Sequence, residues 1–293
     1  MSRLVQVWDG VFTKLEMENP GGSHKFRAAN HILERAISLG ELTAGRSTVI
    51  EKTGGNFGLA LLALCQKRDI SVELVVGLQF SPVKRRLLEA LGAKLLGLEL
   101  LQSGWTPAEV VNHYLGCQTS NGRSYWYPDQ FNNLTGISAH RFETASELAQ
   151  QLTAAGSGKN IIFVGGAGTG ASFTGLTLGL RDHGFDVYAV LAEPEGCCSS
   201  EGVFIDHRFE GVAVGVVPPF LDLSLVKRRI NVPLLEAFET QRAVYKEIGL
   251  WIGHSSAMCL AVAKRLKADD RNTATPIVTI TYDSGLWYPD YAS

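Results

Sequence analysis

The chain has 293 residues, of which 45% are hydrophobic and 19% charged, and its formal net charge is -2. This length and apolar content allow a large buried core and predict a division into two lobes. The near-neutral charge gives no electrostatic reason to expect nucleic acid or an anionic membrane surface as a partner, so we expect a small-molecule ligand.

The N-terminal region predicts a cytosolic protein. Asp9 stands where a secretory signal needs an unbroken apolar core, and no apolar run in the chain approaches membrane-spanning length. A strand is predicted over 11–16, and the sequence Pro20-Gly21-Gly22 forces a turn after it. The following helix is predicted over 24–39, with apolar residues at helical spacing and Ser23 placed to cap its first turn.

Lys25 lies in the first turn of this predicted helix. An ammonium group there faces the positive end of the helix macrodipole, and if the site is also buried, both effects favour the neutral amine. A neutral lysine amine is a nucleophile that can form a Schiff base with a carbonyl group. Most lysines are solvated surface residues, so this interpretation depends on the rest of the chain.

The chain then alternates between predicted strands and helices as far as residue 127. The segment Thr53-Gly54-Gly55-Asn56-Phe57-Gly58 breaks the first of these strands and opens the next helix. Strands are predicted over 47–51, 72–76, 94–98 and 125–127, and helices over 59–64, 82–91 and 108–115.

The same alternation continues to the end of the sequence. It predicts an α/β protein with two three-layer α/β/α lobes and mostly parallel sheets. Strands are predicted over 161–164, 187–192, 211–217 and 277–281, and helices over 138–152, 173–180, 234–248 and 255–266. The five cysteines lack metal-ligand spacing, so we expect reduced thiols and no metal site.

A glycine-rich stretch, Gly165–Ser172, joins a predicted strand to a helix, and such a junction exposes backbone N–H groups to a phosphate. A nucleoside triphosphatase would need lysine in place of Ala171, and a dinucleotide-binding motif would need a further glycine, although Glu193 could bind a ribose. A tight turn without a ligand is another interpretation. The remaining one is a cofactor monophosphate held by Gly168, Thr169, Gly170, Ala171 and Ser172.

Lys25 and this loop together suggest a cofactor with both an aldehyde and a phosphate, which pyridoxal 5'-phosphate has. The order of motifs resembles the cysteine synthase branch of the fold-type II pyridoxal-phosphate enzymes, the tryptophan synthase β superfamily. The similarity covers nearly the whole chain. It rests on the segments 14–16, 19–27, 53–58, 84–93, 128–133, 168–172, 211–218 and 253–256.

The resemblance implies roles for individual residues. Lys25 would bind the cofactor as a Schiff base and, once released, move the Cα proton of the substrate. Asn56 would hydrogen-bond O3', the hydroxyl oxygen on the pyridine ring. Ser255 would contact the pyridine nitrogen as a neutral partner, and a neutral partner favours loss of a β-substituent over transamination. Gly168 to Ser172 would hold the phosphate. The substrate-binding residues would be Thr53, Gly54, Gly55, Phe57 and Gln130.

Three residues depart from the family pattern. Typical cysteine synthases have hydroxyl side chains at the positions of Gly54 and Phe57, where they help to hold the substrate carboxylate. We therefore expect Phe57 to narrow or desolvate the pocket. Phe26 replaces the usual aspartate after the lysine, and this replacement leans towards the serine/threonine dehydratases.

The resemblance also predicts the organisation of the protein. A large cofactor-binding domain would comprise residues 1–29 and 134–293, and a small mobile domain, residues 30–133, would close over the substrate. The cofactor would lie in the cleft between them, and the protein would be a homodimer. The partners would be a small amino acid and a small nucleophile.

The predicted function is β-elimination and β-replacement on a small L-amino acid of the activated serine or cysteine type, through an aminoacrylate. A deaminating lyase resembling a serine/threonine dehydratase or a cysteine desulfhydrase is the first alternative. A catalytically weak cofactor-binding partner or regulatory subunit is an alternative of another class, and a nicotinamide-dependent oxidoreductase is a third.

Overall fold

The computed structural model describes residues 1–118, 124–269 and 274–288. The chain divides into two compact units, called here unit 1 (Met1–Asn19 with Leu134–Ser293) and unit 2 (Pro20–Asn133). The sequence places the boundary after residue 29, whereas the structure places it after Asn19. The reason is that the helix Lys25–Ser38 is unbroken and packs within unit 2 against the helix Asn56–Cys65.

The described residues contain strands and helices that follow one another in nearly regular alternation. In chain order the strands are β1 (Leu4–Trp8), β2 (Val11–Lys14), β3 (Ser47–Lys52), β4 (Ser71–Val75), β5 (Lys94–Leu95), β6 (Ser124–Trp126), β7 (Asn160–Gly165), β8 (Asp186–Pro194), β9 (Val226–Val232) and β10 (Ile277–Ile280). The helices are α1 (Lys25–Ser38), α2 (Asn56–Cys65), α3 (Pro82–Ala90), α4 (Leu98–Gln102), α5 (Pro107–Gly116), α6 (Thr135–Ser138), α7 (Ala145–Ala154), α8 (Ala171–Asp182), α9 (Leu234–Ile248) and α10 (His254–Lys267).

Most predicted elements are present, with three kinds of difference. The segment 211–217 is a series of turns rather than a strand, because Gly211, Ala213 and Gly215 have φ angles of 82°, 45° and 80°. Ser23 does not cap α1, since His24 precedes the helix and no side chain caps it. The short elements β1, α4 and β9 were not predicted from periodicity.

The sheet of unit 2 has the strand order β5-β4-β3-β6 in the described residues, and all its pairs are parallel. Consecutive residues of β3 face opposite sides of the sheet. Val49 belongs to an apolar cluster with residues of α1 and α2, and Ile50 belongs to another cluster with residues of α4 and α5. Helices therefore cover both faces of the sheet, as a parallel sheet requires.

The sheet of unit 1 has the order β1-β2-β10-β7-β8-β9 across the described ranges. Only the pair of β1 with β2 is antiparallel among these strands. The residues Ile161–Val164 of β7 are all buried, which is typical of a central parallel strand covered on both faces. Within the described part of the chain, no helix has the length and apolarity needed to cross a membrane.

Candidate active site

Lys25 is the first residue of α1 and follows a turn of two glycines with positive φ. The turn lies close to α2, since a Cβ on Gly21 would come within 2.9 Å of the Ala60 nitrogen. Burial lowers the pKa of the Lys25 amine to about 8, and the carboxylate of Glu51 acts in the opposite direction. The amine is therefore more readily available in its neutral, nucleophilic form than that of a surface lysine.

Glu51 is a buried acid near the carboxyl end of β3. Burial raises its pKa to about 8, and the charge of Lys52 and the backbone N–H of Gln130 oppose this rise. That N–H donates to Glu51 Oε2 at 3.4 Å, while Oε1 has no hydrogen-bond partner among the described residues. A buried carboxyl oxygen without a hydrogen-bond partner is rare in a protein interior. It marks the surroundings of Lys25 as a candidate functional region.

The segment Thr53–Phe57 follows β3 directly and forms the start of α2. Thr53 Oγ1 accepts hydrogen bonds from the N–H groups of Gly55 at 3.0 Å and Gly58 at 3.3 Å, so this hydroxyl stabilises the helix start. Gly55 has a φ of 123°, and a Cβ there would lie 2.8 Å from Lys84 Cδ. Asn56 is the first residue of α2.

Phe57 and Phe80 differ in where their rings lie. The ring of Phe57 is 1% exposed and belongs to the core of unit 2, because α2 is buried along nearly its whole circumference. It does not stand out from the helix as the expected pocket wall. The ring of Phe80 instead covers Gly54, where a Cβ would come within 2.6 Å of Phe80 Cε1. Phe80 thus takes the space that a side chain at position 54 would need.

Gln130 follows β6, which pairs with β3, so it lies at the same edge of the sheet as Thr53. Its Nε2 donates to the Lys52 carbonyl oxygen at 3.4 Å, and its residue is 9% exposed. Asp129 before it has a φ of 46° and forms an ion pair of 3.6 Å with the Lys52 ammonium. Unit 2 therefore places Gln130 beside the segment that carries Thr53.

The glycine-rich loop of unit 1 follows β7 and ends at the first residue of α8, Ala171. Gly170 has a φ of 88°, and a Cβ there would lie 2.7 Å from Leu221 Cα, so only glycine suits this position. A Cβ on Gly168 would overlap the carbonyl oxygen of Gly211. The segment 211–221 is thus packed against the loop, and it also donates the Phe220 N–H to the Thr169 carbonyl at 2.9 Å.

Ser255 is the second residue of α10 in unit 1 and is 6% exposed. Its side chain makes no hydrogen bond to any residue that the structure describes. Gly253 precedes the helix, and a Cβ there would overlap Asp283 Oδ1, so the chain needs a glycine at this point. The Gly253 N–H donates to the Asp283 carbonyl at 2.9 Å, which holds the start of α10 beside the end of β10.

Comparison with known proteins agrees with the motifs. Residues 1–283 match a family model described as "Pyridoxal-phosphate dependent enzyme". The chain is 31% identical to the cysteine synthase of Staphylococcus aureus over 95% of this chain and 87% of the relative. It is similar to the structure of O-ureido-L-serine synthase (28% identity, TM-score 0.86, 98% of this chain and 90% of that chain). A further similar structure is the O-acetylserine dependent cystathionine β-synthase of Helicobacter pylori (28%, 0.82, 96% and 88%).

The chain belongs to the pyridoxal-phosphate dependent enzymes. The predicted resemblance to the cysteine synthase branch and the predicted α/β fold class are confirmed. The cofactor is pyridoxal 5'-phosphate, and the protein is an enzyme of the cysteine synthase kind. The roles of individual residues stay predictions.

The residues of this pyridoxal-phosphate enzyme fit the cofactor. The N–H groups of Gly168, Thr169 and Gly170 donate no hydrogen bond within the described residues, although Thr169 and Gly170 are buried. Buried N–H groups without an acceptor are rare, and a phosphate would supply acceptors to all three. Lys25 has the lowered pKa that suits reaction with an aldehyde, and Ser255 retains a free hydroxyl.

The predicted site residues of the enzyme fall into two groups. Unit 1 holds Gly168, Thr169, Gly170, Ala171, Ser172 and Ser255, and unit 2 holds Lys25, Thr53, Gly54, Gly55, Asn56, Phe57 and Gln130. Glu51 and Phe80 were not predicted from the sequence. Glu51 had a detectable signal, since it is an acid at the end of an apolar strand, directly before the segment 53–58. Phe80 had no such signal, because an aromatic residue after a strand is ordinary.

Proposed function

We propose that the protein catalyses β-replacement on an activated L-serine. The observation that carries the proposal is the partly buried amine of Lys25, whose pKa is lowered to about 8, in a chain of cysteine synthase type. When bound, pyridoxal phosphate stabilises negative charge at the Cα of an amino acid, which permits loss of the β-substituent. A nucleophile then adds at Cβ.

Lys25 has two tasks in this proposal. Its neutral amine would hold the cofactor through the aldehyde carbon, and once the substrate amine has taken its place, the same amine would remove the Cα proton. A base with a pKa near the working pH is suited to both steps, since it can accept a proton and return it. Burial of Lys25 supplies that pKa, and the nearby carboxyl group of Glu51 limits how far it falls.

The substrate carboxylate binds at the start of α2. Thr53 Oγ1 accepts two backbone hydrogen bonds, and its O–H can still donate to a carboxylate. Phe80 covers Gly54, so no side-chain hydroxyl is offered at position 54, unlike in typical cysteine synthases. Backbone N–H groups at this helix start and Nε2 of Gln130 are further candidate donors among the described residues of unit 2. The loop Gly168–Ser172 binds the phosphate, and Ser255 meets the ring nitrogen as a neutral partner.

Two relatives support an activated serine as donor. One is named for its dependence on O-acetylserine and the other for the product O-ureido-L-serine, so replacement at Cβ of serine accommodates more than one nucleophile among similar proteins. The purified enzyme should convert O-acetylserine to a new amino acid when sulfide or another small nucleophile is present. Release of pyruvate and ammonia without a new amino acid would instead assign it to the deaminating lyases. No turnover by a cofactor-loaded protein would favour the partner-subunit alternative.

Domain closure over the substrate, the homodimer and the cytoplasmic location are further parts of the proposal. Closure and the homodimer are supported by the resemblance to cysteine synthases alone. Light scattering of the purified enzyme measures the oligomeric state directly, and a monomeric mass would refute the homodimer. Scattering curves with and without bound substrate test closure, since identical curves would contradict it.

A further inference from the structure

Tyr282 follows β10 in unit 1 and is 5% exposed. Its backbone N–H donates to the hydroxyl of Ser256 in α10 at 2.9 Å. Its side-chain Oη accepts the N–H of Gly166 at 2.8 Å. A single residue therefore bonds to two segments that are far apart in the sequence.

These two segments contain the proposed contacts to opposite ends of the cofactor. Ser256 is fully buried and directly follows Ser255, the proposed partner of the ring nitrogen. Gly166 lies two residues before Gly168, where the proposed phosphate loop begins. The hydrogen bonds through Tyr282 thus connect the start of α10 with the start of the phosphate loop inside unit 1.

The ring nitrogen and the phosphate of pyridoxal phosphate stay within a narrow range of separations, because a rigid ring and one short arm join them. A site can bind both ends well only if its own two contact points keep the matching separation. We propose that Tyr282 is a positioning residue that sets the separation between the Ser255 hydroxyl and the N–H groups of the phosphate loop. This inference rests on the proposed roles of Ser255 and of the loop.

The surroundings of Tyr282 favour a stable link. Gly166 is confined, since a Cβ there would lie 3.0 Å from Val212 Cγ1 and 3.3 Å from Met258 Cε. Burial raises the pKa of the Tyr282 phenol above its ordinary value, and burial raises the pKa of the neighbouring Cys259 thiol to about 12. Both groups remain neutral over the physiological pH range, so the hydrogen bonds persist at any working pH.

Tyr282→Phe tests the inference, because it removes one oxygen and keeps the buried ring. The Gly166 N–H then loses its acceptor, and the loop gains freedom to shift. We expect pyridoxal phosphate to bind roughly three- to tenfold more weakly, in line with the loss of one hydrogen bond. The phosphorus NMR resonance of the bound cofactor should move, while the melting temperature of the cofactor-free protein should change little.

Two further variants make the test specific. Tyr188→Phe, at an exposed position of β8 in the same unit, is the matched control and should leave the affinity and the resonance unchanged. Ser256→Ala breaks the other end of the same link and should weaken cofactor binding as well. The effects of Tyr282→Phe and Ser256→Ala should be less than additive in the double variant, because either one interrupts the link.

The inference is overturned if Tyr282→Phe binds pyridoxal phosphate with wild-type affinity and an unmoved phosphorus resonance. It is also overturned if the variant loses as much stability without cofactor as with it, since Tyr282 would then only support the fold. If Tyr282→Phe does not fold, Ser256→Ala replaces it in the test, and wild-type cofactor affinity of Ser256→Ala overturns the inference. A wild-type enzyme that binds the cofactor but makes no β-replacement product refutes the proposed function. The test of Tyr282 still applies in that case, because it measures cofactor affinity and not turnover.

Discussion

The candidate site residues of unit 1 and those of unit 2 offer different chemistry. Unit 1 offers backbone N–H groups around Gly168–Gly170 and the neutral hydroxyl of Ser255, and none of these changes charge near neutral pH. Unit 2 offers the amine of Lys25 and the carboxyl of Glu51, both of which have a pKa of about 8. The groups proposed to hold an anion thus belong to unit 1, and the groups that exchange protons belong to unit 2.

The departures from the family pattern follow the same division. Phe26, Gly54 and Phe57 all lie in unit 2, where the substrate carboxylate is proposed to bind. The proposed cofactor contacts of unit 1 lie in segments that resemble the family's motifs. The comparison therefore assigns cofactor retention to unit 1, and proton transfer and substrate choice to unit 2. Four substitution experiments test this assignment, from the largest expected effect to the smallest.

Lys25→Ala should have the largest effect, a loss of turnover of roughly 10³-fold or more, because the general base is removed. The visible absorbance that arises when the cofactor is bound to a lysine should also disappear. The matched control is Lys67→Ala, an exposed lysine of unit 2, which should behave as wild type. Retention of the absorbance in Lys25→Ala would show that another lysine binds the cofactor.

Gly170→Ala tests the backbone geometry of unit 1. The added Cβ meets Leu221 at a positive φ, with a strain of about 1–3 kcal/mol. Cofactor affinity should fall by roughly 10- to 100-fold as the loop moves away. Gly184→Ala is the control, since Gly184 has a similar φ of 78° in open space. Equal cofactor affinities of the two variants, measured by titration with pyridoxal phosphate, would contradict the proposed role of the loop.

Gly54→Ser tests substrate choice in unit 2. The serine side chain would collide with the Phe80 ring, and overpacking of about 1–2 kcal/mol should lower kcat/KM for O-acetylserine by about tenfold. Adding Phe80→Ala should restore much of the loss by making room. Gly116→Ser, in open space in the same unit, is the control. If the double variant has the same kcat/KM for O-acetylserine as Gly54→Ser, Phe80 does not determine substrate choice.

Glu51→Gln should have the smallest effect, on the pH dependence of stability. The pKa of Glu51 rises from 4.5 to about 8 on folding, so the folded state binds the extra proton and its stability falls as pH increases between these values. The pKa of Lys25 falls from 10.5 to about 8, so stability then rises from pH 8 towards 10.5.

Glu51→Gln should remove the decline below pH 8 and keep the rise above it. Denaturant unfolding of the cofactor-free protein across this pH range measures both limbs. Glu89→Gln, at an exposed position of α3, is the matched control and should retain the decline. A wild-type stability that stays constant between pH 4.5 and 8 would show that Glu51 remains ionised in the folded protein.

Local sequence signals predicted most elements and the segments that carry the site. The helix over 234–248 has the predicted ends, because its apolar spacing and the preceding Pro233 are properties of adjacent residues. Lys25 and the loop 168–172 were proposed as site residues for the same reason, since a turn, a glycine run and a helix start are all encoded within a few residues. The strand predicted over 211–217 was wrong, because apolar residues between glycines resemble a strand although the φ angles form turns.

By itself, then, the sequence determined the α/β class, the family and the cofactor, since these depend on motif order and on short-range patterns. Only the tertiary structure decided which side chains meet. It buried the ring of Phe57, laid Phe80 over Gly54, and joined Tyr282 to both Gly166 and Ser256. Such contacts connect residues from different strands and helices, and no spacing along a single chain records them, because they arise from how the elements pack.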